Sequence, residues 1–181
     1  MNFLENPEML QIFFRFRLEN FLEIPLKKNK MDPAGYQEVK GETMPKVNEE
    51  GRVIKVVSGE YQGRKGPGRS FTPMNILDIE FNDDQEFTYH TKKGWTLTIL
   101  TLTGSTEYAG KTATNGHTMV FDREEGDVSL IVKKGTRILV LNAEPIDEPM
   151  VAHGPFVMNT REEIYQAIDD YQSGRMGPFE V

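Results

Sequence analysis

Cysteine is absent from this chain of 181 residues, which excludes disulfides, thiolate metal sites and a cysteine nucleophile. Histidine is nearly absent. His90, His117 and His153 are the only three, and none lies within four residues of another. The H-x-H and H-E-x-x-H spacings that place paired side chains on one metal are therefore missing. An excess of basic residues is lacking too: 21 Lys and Arg stand against 28 Asp and Glu, for a net charge of −7. Displacing counterions from phosphates needs a basic face, so broad nucleic-acid binding is excluded. No stretch reaches the ~20 apolar residues of a membrane span. The run "MLQIFF" (9–14) follows Glu5 and Glu8 and precedes Arg15, Arg17 and Glu19, the wrong charge order for a secretory leader. The expectation is a soluble, cytoplasmic chain without a membrane partner.

What the sequence does hold is a succession of short β-type runs. They are "RVIKVVS" (52–58), "NILDIEF" (75–81), "EFTYH" (86–90), "WTLTILTLT" (95–103), "HTMVF" (117–121), "DVSLIV" (127–132) and "TRILVLN" (136–142). Leu77, Ile79 and Phe81 alternate with Asp78 and Glu80, as on a strand with one buried face. Turn chemistry such as "NDD", "KKG" and "EEG" separates the runs. Short strands at close spacing without intervening helices predict an all-β antiparallel sandwich or barrel.

One helix is predicted, over 160–173, near the C-terminus. Thr160 and Glu163 have capping-box spacing, Ile164, Ala167, Ile168 and Tyr171 form an apolar stripe, and Gly174 supplies the stop. The N-terminal stretch fits two periods. Its apolar residues fall on even positions, as in a strand, yet Leu10, Phe13, Phe14, Leu18, Phe21 and Leu22 also make a helical face. This divides the chain into an apolar N-terminal segment and linker (1–35), a β-domain (36–145) and a tail with a docking helix (146–181).

Candidate sites are few. His90 ends a strand and reads as a solvated rim residue; His117 follows "ATNG" and reads as a turn-bonded imidazole. His153 precedes Gly154-Pro155, where a side chain bonding the turn backbone is the structural reading. The Gly-rich "GEYQGRKGPGR" (59–69) reads as a hairpin loop, with an anion cradle as the alternative, although it lacks the G-K-[ST] ending of a P-loop. Acidic runs such as "REE" (123–125) read as turns. Tyr89, Trp95, Tyr108 and Phe121, with His90 and His117, could line a barrel mouth for a flat ligand or could simply be core.

The tail "HGPFVMNTREEIYQAIDDYQSGRMG" (153–177) resembles the C-terminal tail of the pirin family. "KKNKMDPAGYQEV" (27–39) is similar to the segment joining the two halves of a pirin. "MNILDIEF" (74–81), "KKGWTLTILTLTG" (92–104) and the run from Gly126 to Phe156 fit its second half in order, so the resemblance spans about residues 21–181. Pirins are bicupins, and the resemblance implies a single cupin jelly roll of the second-barrel type. It also implies that the family's iron site and flavonol-cleaving activity belong to a first barrel, whose three histidines and glutamate open with an H-x-H pair. The stretch "YHTKKGWTLTILTLTG" (89–104) has one histidine and no such pair, so no metal ligand carries over. The reading that follows is a non-catalytic binding or regulatory domain without a cofactor. The alternative is an iron-dependent dioxygenase acting on a flavonol such as quercetin, which requires His90, His117 and a carboxylate to converge. Expected partners are another protein or a second copy in a homodimer, and a small aromatic ligand. His153 is expected to serve the tail and not catalysis.

Overall fold

The computed structural model describes residues 25–32, 37–124 and 126–176, and strands account for most of residues 37–145. In chain order they are β1 (Lys46–Glu49), β2 (Arg52–Ser58), β3 (Glu60–Tyr61), β4 (Arg64–Lys65), β5 (Met74–Phe81), β6 (Gln85–Thr91) and β7 (Thr96–Thr103). There follow β8 (Ser105–Tyr108), β9 (Lys111–Thr114), β10 (Thr118–Phe121), β11 (Gly126–Val132) and β12 (Arg137–Ala143). Six of them form one sheet in the order β1-β2-β5-β12-β7-β10, and four form a second, β6-β11-β8-β9. Neighbours within both sheets pair antiparallel.

Alternation explains which side chains meet between the sheets. Along β6, Phe87, Tyr89 and Thr91 are buried, while Glu86, Thr88 and His90 are exposed. Along β5, Leu77, Ile79 and Phe81 turn to the same core. The two sheets share one apolar cluster, to which β2, β7 and β12 add Ile54, Leu97, Ile99, Ile138 and Val140. Period-two geometry sends the intervening residues outward. On the six-stranded sheet that outer face is itself partly apolar: Met44, Val57 and Ile76 are buried there, with Val39, Met74, Leu139 and Leu141 packed against them.

From Ile146 onward, together with residues 25–32, the chain forms a second compact unit. Its hairpin pairs β13 (Val151–His153) with β14 (Phe156–Met158), and the helix α1 (Arg161–Gln172) packs on it. Both bonds of the capping box are made: the Glu163 N–H donates to Thr160 Oγ1, and the Thr160 N–H donates to Glu163 Oε2. At the other end the Arg175 N–H donates to the Asp170 carbonyl and the Gly174 N–H to that of Tyr171, a Schellman closure with Gly174 at φ +75°. Ile164 and Ala167 are buried, whereas Tyr171 stays half exposed with its ring edge-on to Phe156. The N-terminal segment 1–24, on which the choice between strand and helix falls, lies outside the described residues.

Candidate functional site

The interior of the barrel is the first place to look for chemistry, and its polar groups satisfy one another. The buried Tyr89 hydroxyl donates to Asn142 Oδ1 at 3.2 Å, and Asn142 Nδ2 donates to Thr91 Oγ1 at 2.9 Å and to the Thr96 carbonyl at 3.1 Å. Asn75 Nδ2 completes the group at 3.5 Å from the Tyr89 oxygen. Burial pushes the Tyr89 phenol up, which keeps it a neutral donor.

The histidines lie elsewhere. His90 sits between two inward residues of β6, so the pleat turns it to the outside, where Nδ1 lies 2.9 Å from Asp127 Oδ1 and both side chains are largely exposed. His117 Nδ1 faces the Thr114 carbonyl at 3.0 Å and Thr114 Oγ1 at 3.2 Å, within its own turn. The convergence required by the dioxygenase alternative is therefore not formed by His90 and His117. Among the described residues no three of His, Asp and Glu gather to hold a metal ion. A barrel interior furnished with amide and hydroxyl groups does not fit ferrous iron, whose open sites use imidazoles and a carboxylate.

His153 ends β13 with an exposed imidazole, and no hydrogen bond from it reaches the turn. The turn-bonded role expected of it is corrected: the backbone ladder from β13 to β14 already holds this hairpin. The Gly-rich loop carries the short hairpin of β3 and β4. Three of its N–H groups are already committed: Gly66 donates to Gly59, Gly68 to Val57, and Arg69 to the Gln37 side chain. A Cβ on Gly66 would lie 2.6 Å from the Val57 carbonyl carbon, so these glycines serve close approach to β2. These three N–H groups are not free to hold an anion.

One cleft, of about 350 Å³, does open in this unit. Its apolar part is Tyr108 from the end of β8, Val120 and Phe121 from β10, and Val128 from β11. The Tyr108 and Phe121 rings meet edge to face, with centroids 5.1 Å apart and planes at 85°. Three exposed carboxylates, Asp122, Glu124 and Asp127, border it. Of the six expected lining residues, the structure brings Tyr108 and Phe121 together there. Tyr89 belongs to the core, and Trp95 is half-buried beneath the Lys92 ammonium, 4.9 Å from its ring centroid. His90 touches the cleft only through Asp127, and His117 does not line it. The acidic border was missed because "DREEGD" (122–127) reads as turn chemistry. Its one usable signal is a charge run placed directly after a strand ending in phenylalanine.

Two antiparallel sheets enclosing an apolar core, with one helix near the C-terminus, define a cupin jelly roll. The crystal structure of quercetin 2,3-dioxygenase from Acinetobacter baumannii superposes with a TM-score of 0.79 at 31% identity, covering 86% of this chain and 55% of that one. A second structure of that name and organism, at 24% identity and TM-score 0.68 over 76% of this chain and 48% of that one, shows the fold alone. The family model for the pirin C-terminal cupin domain matches residues 76–177, and the chain belongs to the pirin family. Human pirin is 36% identical over 155 residues, which cover 82% of this chain and 53% of that protein. Mouse pirin is 35% identical over 158 residues, covering 83% and 54%. The chain thus spans about half the length of these curated relatives.

Proposed function

We propose that this chain is a non-catalytic binding domain of the pirin type, working in the cytoplasm. The observation that carries this reading is the closed Tyr89–Asn142–Thr91 group inside the barrel, with His90 turned out of it by the pleat. An interior so filled leaves recognition to the surface, where the cleft beside Tyr108 and Phe121 would take a small ligand. The competing reading, an iron-dependent dioxygenase acting on a flavonol such as quercetin, draws on the likeness to the Acinetobacter enzyme.

The two readings separate in one experiment. The purified chain is incubated anaerobically with ferrous iron, desalted and assayed for metal, then for oxygen uptake with quercetin. The expected result is far less than one iron per chain and no quercetin-dependent uptake. Stoichiometric iron together with uptake would overturn the proposal.

A second copy is the proposed protein partner. The half-buried Leu139 and Leu141 on the outer face of the six-stranded sheet support this, because apolar side chains there gain from a cover. Two-fold pairing is the commonest arrangement of identical subunits. Light scattering on the full chain should return twice the 20.7 kDa of one copy. A single-copy mass at all accessible concentrations would rule the dimer out.

A further inference from the structure

We infer that the cleft between β8, β10 and β11 is a site for an organic cation, a flat or alkyl body carrying one ammonium or guanidinium group. The inference rests on the binding-domain reading and names the ligand class of that site. Three features lead to it. The volume, about 350 Å³, sits within the range of small-molecule sites. The apolar wall offers the half-buried Tyr108 ring, held by its edge-to-face contact with the buried Phe121, and an aromatic face attracts a cation resting on it. The charged groups lining the cleft are all of one sign: Asp122, Glu124 and Asp127, with no lysine, arginine or histidine among the described lining residues.

The spread of those carboxylates decides what kind of cation fits. They do not gather as three ligands around one point, so they offer no cage for a metal ion. Calcium and magnesium need six or more oxygens within about 2.6 Å. A diffuse negative border instead suits a charge carried on an apolar body, with the body on Tyr108 and the head toward the border. Asp127 already has a neighbour in His90 at 2.9 Å, which holds its carboxylate at the lip of the cleft. Asp122 and Glu124 are exposed, so their attraction is screened by salt and weakens as ionic strength rises.

The test uses the full chain, labelled with nitrogen-15, and follows backbone amide shifts during titration. The probes are phenethylammonium, its neutral counterpart 2-phenylethanol, and the anion 3-phenylpropionate. Phenethylammonium should shift the amides of Tyr108, Ala109, residues 121–124 and residues 126–128, and should bind about tenfold more tightly than the neutral probe. The anion should not bind there. Raising salt should weaken the cation and leave the neutral probe unmoved. The triple variant Asp122→Asn, Glu124→Gln, Asp127→Asn should lose about tenfold in cation affinity and keep the affinity for 2-phenylethanol. Tyr108→Leu keeps the apolar wall and should cost about fivefold. Amide positions elsewhere in the spectrum report whether each variant is folded.

A short peptide bearing one arginine distinguishes the sources of such a cation. Tighter binding of the peptide assigns the head group to a protein side chain, and tighter binding of the amine assigns it to a free metabolite; both support the site. Equal binding of the cationic and neutral probes, or no shift at 108–128, would overturn it. Iron loading is measured separately. Iron uptake with intact cation binding would therefore strike the non-catalytic reading alone, and lost cation binding would strike this site alone.

Discussion

Phe87→Ala is expected to lower the stability of the barrel by about 4 kcal/mol, which for a chain of this size moves the melting midpoint by roughly 10 °C. Phe87 is fully buried on β6, with its ring edge to face against Phe81 at 5.6 Å between centroids. The Arg52 guanidinium stands over the same ring, 5.2 Å from its centroid. Truncation removes the transfer energy of the ring and leaves a cavity that two sheets braced by other core residues cannot close. It also removes the aromatic face that partly neutralises Arg52, whose remaining partners are Glu49 and Gln85. Phe87→Leu should cost far less, about 1 kcal/mol, because most of the volume is kept. Urea denaturation of both variants measures the difference. Equal loss in both would mean that the site tolerates no change of shape, and no loss in either would mean that β6 is not part of the cooperative core.

Asp78→Ala is the second large effect, about 3 kcal/mol, the low end of what breaking a buried ion pair costs. Asp78 lies on the outer face of β5, yet only 2% of its side chain is exposed. It accepts from Arg137 Nε and Nη2, both at 2.7 Å, and lies 3.6 Å from Lys55 Nζ. Removing the carboxylate leaves two cations beside half-buried leucine with only Glu80 to answer them. About a third of the Arg137 side chain is in water, which softens the penalty. The pair variant Asp78→Leu with Arg137→Met should recover most of the loss, since replacing such a pair by apolar groups is often neutral. If Asp78→Ala alone is silent, the bidentate contact contributes nothing net.

The same cluster adds a pH dependence. The bond from Lys55 holds the Glu80 carboxyl below its ordinary value, with Arg137 acting in the same direction. A depressed carboxylate stabilises the fold above its unfolded pKa, and that contribution disappears as pH falls through the folded value. Acid unfolding of the Glu80→Gln variant should therefore be less steep than that of the parent.

Much of this fold was legible residue by residue. Alternation along 75–81 placed Leu77, Ile79 and Phe81 on one face, and the barrel puts them in its core. The same alternation bears on the site. Tyr89 and His90 are adjacent on β6, so their side chains point to opposite faces, Tyr89 into the core and His90 outward. For Trp95 and His117 residue type suggests a binding role, and the structure gives both side chains local contacts, Trp95 with Lys92 and His117 with Thr114.

The sequence by itself determined the strands and the capped helix, together with the poverty of metal-ligand spacing. Each of these follows from neighbours within a few positions, through pleat or helical period. The pairing of Tyr108 with Phe121 was decided by the tertiary structure alone, because one closes β8 of the four-stranded sheet and the other β10 of the six-stranded sheet. Contacts between sheets depend on register, twist and the order of strands, which no local period encodes. The acidic border became part of a cleft for the same reason: folding sets Asp122, Glu124 and Asp127 beside the aromatic wall of Tyr108 and Phe121.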